Sequence, residues 1–301
     1  MPPSSLKSAE TPSRPGCKIG KRVAHLNLAD PGTLKAFLSR HGLWASKGLG
    51  QHFLVSSKVV QAIVDAAGDT KGILEIGPGP GVLTGALSES AERLIALELD
   101  QRMIEPLRES APKAEVLQVD ALKTQLSEIL QTLPEPRGVV SNLPYYITGP
   151  LLTRIAESRR FLSKAVLMMQ KEVADRVLAL AKTPARGSLS VYLQLQFEIQ
   201  QIASAPAGAF LPPPKVDSSV LLFIPRAEEY EGDVFKLVRY GFAQPRKTLA
   251  NNLIAGSHFD RTVVNDWIAK TNLKDNARPQ ELTNEEWLAL NAAKPQADSG
   301  K

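Results

Sequence analysis

From residue 73 onward the hydrophobic positions follow two alternating rhythms. Short apolar runs at 73–76, 94–99, 114–119, 138–141 and 165–169 read as buried strands. Between them, residues 82 onward, 103–109, 125–132, 150–158 and 172–181 carry apolar side chains at helical spacing. This alternation predicts a parallel sheet with helices on both faces. Two further runs, 190–199 and 219–224, read as strands with no helix of usual length between them, so the last strand is expected to close the sheet antiparallel. Residues 206–215 between these strands are proline-rich and read as irregular. From Ala227 only helical spacing remains, at 234–242, 247–255, 263–270 and 285–292, which predicts a small all-helical domain. Upstream, Asp30-Pro31-Gly32 opens a short helix over 33–41, and Ser56 or Ser57 caps another that buries Val59, Val60, Ile63, Val64 and Ala67. The expected organisation is a leader over 1–29, an α/β domain over 30–226, a helical domain over 227–294 and a frayed tail over 295–301.

The first strand runs into a loop with glycine at every second position: Glu75, Gly77, Gly79 and Gly81. Glycines permit a tight turn and close approach of a ligand, and a helix N-terminus offers free N–H groups. A dinucleotide fingerprint needs G-x-G-x-x-G. Counting from Gly77 or Gly79, the third glycine would fall on Val82 or Thr84, so the pattern is instead E-x-G-x-G-x-G. That spacing resembles the first motif of class I S-adenosylmethionine (SAM) methyltransferases, in which the loop backbone meets the methionine part of the cofactor. The second strand ends in Glu98, whose carboxylate suits a vicinal ribose diol. Asp100 is better placed to cap the next helix.

Composition narrows the class. The chain has 301 residues, 43% hydrophobic and 22% charged, enough for a main domain and a small second one. No apolar stretch approaches the roughly 20 residues of a membrane span, and no secretory signal is evident. Cys17 is the sole cysteine, so no internal disulfide can form, and four scattered histidines do not suggest a metal site. A cytoplasmic setting is expected. The net charge of +5 is uneven: residues 1–58 carry nine Lys/Arg against two Asp/Glu, whereas the remainder is slightly acidic. Residues 1–27, rich in Pro, Ser and Lys, are expected to be disordered, and the basic stretch is a candidate footprint for a polyanion.

The most specific segment is Asn142-Leu143-Pro144-Tyr145, at the end of the fourth strand. Ligands of open α/β sheets bind beyond the strand ends, so this tetrad shares a crevice with the glycine loop. The tetrad resembles the N-[LI]-P-[YF] form seen in RNA adenine-N6 methyltransferases, which implies an adenine amino nitrogen as target, a poor nucleophile because its lone pair is delocalised into the ring. Asn142 can accept one N–H and the Leu143 carbonyl the other, holding both out of plane. Pro144 fixes the chain, and Tyr145 offers a ring on which a base can stack.

With Gly50-Gln51-His52-Phe53-Leu54 before it and Phe210-Leu211-Pro212-Pro213-Pro214-Lys215-Val216 after it, the tetrad makes the chain resemble the small-subunit ribosomal RNA adenine dimethyltransferase family, over about 34–290. The resemblance implies a Rossmann-like class I SAM methyltransferase sheet with a helical C-terminal domain, and SAM as methyl donor. It implies dimethylation at N6 of two adjacent adenosines in a hairpin near the 3′ end of small-subunit ribosomal RNA, on the immature subunit, by a monomer. It implies that His52, Leu54, Glu75, Gly77, Gly79, Gly81, Glu98, Asp120 and Asn142 hold the cofactor. Tyr145, Phe210, Arg246 and Lys247 would meet the base and RNA, with Phe210 closing opposite Tyr145. The chain departs from the family in having His52 where many members carry Asn, and Pro245 where a second basic residue is usual. Alternatives left open are a large-subunit RNA adenine methyltransferase, an organelle transcription factor descended from such an enzyme, and a ribosome-assembly binding factor with dispensable catalysis. An NAD-dependent oxidoreductase is disfavoured by the missing third glycine.

Overall fold

A computed structural model describes residues 26–43, 52–230 and 232–295. Most of the expected leader, the stretch from Lys47 to Gln51 and nearly all of the tail lie outside the described residues.

The chain runs α1 (Pro31–Arg40), β1 (Phe53–Leu54), α2 (Ser57–Ala67), β2 (Gly72–Ile76), α3 (Val82–Leu87), β3 (Arg93–Glu98), α4 (Gln101–Ser110), β4 (Glu115–Gln118), α5 (Leu126–Gln131) and β5 (Arg137–Asn142). It continues through α6 (Thr148–Glu157), β6 (Lys164–Gln170), α7 (Lys171–Leu178), α8 (Ser188–Gln196), β7 (Phe197–Ala205), β8 (Phe210–Leu211) and β9 (Ser218–Pro225). The helices α9 (Gly232–Gly241), α10 (Leu249–Gly256), α11 (Arg261–Ala269) and α12 (Asn284–Ala292) follow. The expected caps form: Asp30 accepts from the Thr33 N–H at 2.7 Å, and Asp100 from the Arg102 N–H at 3.0 Å.

Seven strands build the main sheet in the order β4-β3-β2-β5-β6-β9-β7. β4, β3, β2, β5 and β6 are parallel, and β9 runs antiparallel between β6 and β7. Strand alternation divides the core. Leu74, Ile76, Val139 and Leu167 face a cluster with Leu130 of α5, Leu152 and Ile155 of α6, and Val177 of α7. Ile73, Val140, Val166 and Met168 face the opposite cluster, with Ile63 of α2, Leu83 and Leu87 of α3, and Leu107 of α4. The strand order reverses at β2, whose neighbours are β3 and β5, so the crevice between β2 and β5 is the place such sheets offer a ligand.

Three expectations are corrected. The run over 190–199 is not one strand: α8 occupies Ser188–Gln196, and β7 begins at Phe197. Leu193 of α8 packs into the sheet core, while Val191 and Leu195 pack into the helical-domain core with Trp267 and Trp287. A helix buried between two cores is apolar on opposite sides, and its pattern imitates a strand. The irregular segment after β7 contains β8, which pairs antiparallel with β1 through Phe53↔Leu211 and Leu54↔Phe210. Finally, Leu28 and Ala29, assigned to the leader, are packed: Leu28 is 3% exposed and joins Leu34, Phe37, Leu38, Phe53 and Met103 in a small cluster.

Candidate active site at the strand ends

The glycine loop leaves β2 with three residues in left-handed conformations: Gly77 at φ 69°, Gly79 at 57° and Gly81 at 92°. At Gly81 the requirement is also spatial, since a Cβ would stand 2.2 Å from Ser110 Oγ. That hydroxyl donates to the Pro80 carbonyl at 2.7 Å and ties the loop to α4. Gly77 lies against Pro144, whose Cγ would be 3.8 Å from an added Cβ, so the loop and the tetrad touch. Ser141 Oγ donates to the Ile76 carbonyl at 2.6 Å and fixes β5 beside β2 just below the site.

These elements enclose a cavity of about 390 Å³, within the range of small-ligand sites. His52, Leu54, Glu75, Gly77, Gly79, Glu98 and the whole tetrad line it. Glu98 accepts from the Gly79 N–H at 3.0 Å and from the Asp100 N–H at 2.7 Å, which points its carboxylate into the loop. Burial pushes its carboxyl upward, against the pull of those N–H groups. Glu75 shares the sheet face of Ile73, toward the start of α3, and is 1% exposed. Burial pushes its carboxyl up to about 8, and the charge of Glu98 acts in the same direction. Its Oε2 is buried without a well-formed hydrogen bond among the described residues, with the Thr84 hydroxyl, unpartnered there too, close enough to pull the carboxyl back downward. An orphaned acceptor in the cavity wall asks for a ligand donor, and the second carboxylate keeps lone pairs free for hydroxyl groups. This set of acceptors fits an amino-acid-bearing nucleoside such as SAM.

At the other end of the cavity, Asn142 Nδ2 donates to the His52 carbonyl at 3.3 Å. That contact leaves Oδ1 as an acceptor. The Leu143 N–H donates to the Met168 carbonyl at 2.9 Å, while the Leu143 carbonyl receives no donor among the described residues. Tyr145 is half-buried, its hydroxyl 3.1 Å from Ser218 Oγ, and burial pushes that hydroxyl's pKa upward.

Several expected residues stand elsewhere. Gly81 shapes the turn without lining the cavity. Asp120 follows β4, does not line the cavity, and accepts from the Leu122 N–H at 2.9 Å. Phe210 is 2% exposed and belongs to the core under α2, so its ring is not open to the crevice. Backbone pairing of β8 with β1 turns it inward. Arg246 lines a separate groove of about 1090 Å³ between the α/β and helical portions, with Lys171, Arg176, Lys215 and Arg278. Lys247 is exposed but does not line that groove. Sequence reasoning missed three exposed residues on the cavity rim, Leu99 at 59%, Tyr146 at 72%, and Arg102, which pairs with Asp100. Leu99 had a signal, an apolar residue between two acids at a strand end.

The reversed strand order, the glycine turn after β2, the acid ending β3 and the crevice at β2 and β5 define a class I SAM-dependent methyltransferase. Residues 44–293 match the family described as Ribosomal RNA adenine dimethylase, and the chain belongs to that family. It is 37% identical over 280 residues to a ribosomal RNA small subunit methyltransferase A of Macrococcus caseolyticus, covering 88% of this chain and 95% of the relative. It is 39% identical over 244 residues to the same-named protein of Geobacillus thermodenitrificans, covering 76% and 83% respectively. Among solved structures, a dimethyladenosine transferase from Plasmodium falciparum superposes with a TM-score of 0.68 at 26% identity, covering 79% of this chain and 96% of that one. The 23S rRNA methyltransferase ErmE superposes at 0.61 and 26% identity, covering 80% and 98%.

Proposed function

We infer that the chain dimethylates N6 of two adjacent adenosines in a hairpin near the 3′ end of small-subunit ribosomal RNA, within the maturing subunit. The observation that carries this reading is that Asn142 and Leu143, whose Oδ1 and carbonyl oxygen take no donor among the described residues, line the same cavity as Glu75 and Glu98. Two acceptors on consecutive residues match in number the two hydrogens of an exocyclic amine. Engaging both localises the nitrogen lone pair and aims it inward. Bound SAM supplies a methyl group on a positively charged sulfur. Glu98 would receive the ribose hydroxyls of bound SAM, and Glu75 Oε2 a donor from its amino-acid end. The site thus contributes positioning and needs no strong base.

The small-subunit reading is favoured over the large-subunit one by the name shared by relatives 34–39% identical to the chain. The carboxylates, the glycine loop and the tetrad that line the cavity lie in one chain, which suits action as a monomer; the setting we assign it is the cytoplasm. The test is tritiated SAM with immature small subunits, followed by nucleoside analysis. N6,N6-dimethyladenosine is expected, and Asn142→Ala should cut the single-turnover rate by about a hundredfold with SAM affinity retained. Labelled RNA without that nucleoside would overturn the reading.

A further inference from the structure

We propose that the Tyr146 ring is the stacking platform for the nucleotide beside the target adenosine, so that the cavity takes one base while its mouth holds the neighbour. This rests on the base-methylation reading above.

Tyr146 is 72% exposed, and every other aromatic side chain among the described residues is buried or half-buried. Its side chain makes no hydrogen bond and no ring contact with the described residues. An exposed ring forgoes the gain of burial, and here the backbone is the cause. Residues Tyr145–Ile147 form a short 3-10 helix. Three residues per turn send successive side chains about 120° apart. Tyr145 brings its hydroxyl to 3.1 Å from Ser218 Oγ, and Ile147 packs against the sheet core. The third direction belongs to Tyr146 and leads to the mouth of the cavity. The turn is held from within the protein. The Ile147 N–H donates to the Pro144 carbonyl at 3.2 Å, and Thr148 Oγ1 donates to the same carbonyl at 3.1 Å. Thr148 is 3% exposed and opens α6, so this anchor is buried.

An adenosine that enters the cavity must leave the stack of its own strand, and its neighbour then loses a partner. A fixed aromatic face at the mouth replaces that partner, because every base has a face to stack. The scale agrees. Tyr145 and Tyr146 are consecutive, with Cα atoms about 3.8 Å apart, so rings that diverge from them suit bases on consecutive nucleotides. Leu99 and Arg102, the other exposed residues of the rim, lie beyond β3 and offer no ring.

Full-length wild type, Tyr146→Ala, Tyr146→Leu and Tyr146→Phe are compared. Calorimetry gives SAM affinity, and single-turnover methyl transfer is measured at saturating SAM over a range of immature-subunit concentrations. Tyr146→Ala should keep SAM affinity within about twofold and need about tenfold more subunits for half-maximal rate, the scale of one stacked base. Tyr146→Leu, apolar but without an aromatic face, should share that defect. Tyr146→Phe, which loses only the hydroxyl, should recover most of it. The neighbour is identified with subunits in which one adenosine of the pair, then the other, is replaced by uridine. One target then remains, and a pyrimidine offers a single ring where adenine offers two. On at least one of these substrates the Tyr146→Ala defect should shrink to about threefold or less, because platform and occupant are coupled. An undiminished defect on both substrates, a Leu variant as good as the Phe variant, or a tenfold loss of SAM affinity in Tyr146→Ala overturns the proposal. Wild type that makes no dimethyladenosine on unaltered subunits would defeat the base-methylation reading itself; an active wild type with any of those variant results defeats only this inference. Should Tyr146→Ala not fold, the Leu and Phe variants decide the question by the same criteria.

Discussion

Glu75 and Glu98 illustrate how position in a strand assigns chemistry to identical side chains. Glu75 points between sheet and helix, where water is excluded; Glu98 ends its strand and finds two backbone donors. For Glu75 the consequence is a pH dependence of stability. The folded carboxyl titrates at about 8 and the ordinary value is 4.5, so the folded state holds more protons between those limits. Stability therefore falls as pH rises from 4.5 to about 8 and stays lowered above it. Glu75→Gln removes that slope: it should gain on wild type by a few kcal/mol at pH 8.5 and lose the advantage toward pH 4.5. Urea midpoints at the two pH values check it, and an equal difference at both would show that the carboxyl does not titrate this way. For Glu98 the expectation is affinity. Glu98→Gln keeps the shape but loses the charge that strengthens a bond to a ribose hydroxyl, roughly 1.5–3 kcal/mol. Calorimetry should show SAM binding weakened by about tenfold or more, and unchanged affinity would remove Glu98 from the site.

At the scale of elements, the glycine turn and α8 teach opposite lessons. The turn is legible in the sequence because its constraint is local: positive φ at alternate positions marks itself with glycine. Gly81→Ala combines a φ of 92° with a Cβ placed on Ser110 Oγ. It should cost at least about 1–3 kcal/mol of stability, and should weaken SAM binding by shifting the loop off α4. Gly149→Ala at the start of α6 meets nothing within 4 Å and serves as the control, expected near wild type. Denaturation midpoints of the two variants decide this. If they match, the turn tolerates a side chain and the loop is not held by Ser110. In contrast, α8 reads as a strand because its apolar residues answer to two cores at once, Leu193 to one and Val191 and Leu195 to the other. β8 is invisible in the pattern because two residues paired with a strand about 155 positions earlier carry no periodicity of their own.

For the whole molecule, the question is how a slightly acidic body holds a polyanion. The groove between the two portions is lined by Lys215, Arg246 and Arg278, none of which has an ion-pair partner among the described residues. The basic residues Lys7, Arg14, Lys18, Lys21 and Arg22 precede the described chain. Because Leu28 is packed, a clean truncation stops at residue 25. If those residues neutralise phosphates, removing 1–25 should lower the slope of log affinity against log salt by about 0.7–0.9 per phosphate released. It should leave the methylated adenosines unchanged, since phosphate contacts position without specifying. Subunit binding at several salt concentrations tests this, and superimposable curves would leave the basic leader without a role in RNA binding.

The sequence by itself determined the α/β class, the small helical domain, the glycine turn, the acid closing β3 and the tetrad at the end of β5. Each rests on local rules of periodicity, φ preference or donor and acceptor chemistry. Only the tertiary structure decided which of the candidate residues share one cavity. It joined His52 to Asn142 and Tyr145, and it placed Asp120 outside the cavity and Phe210 in the core. The physical reason is that a side chain's direction at the end of a short strand depends on its pairing partner. Here that partner, Phe53–Leu54 for Phe210–Leu211, lies at the far end of the domain's sequence.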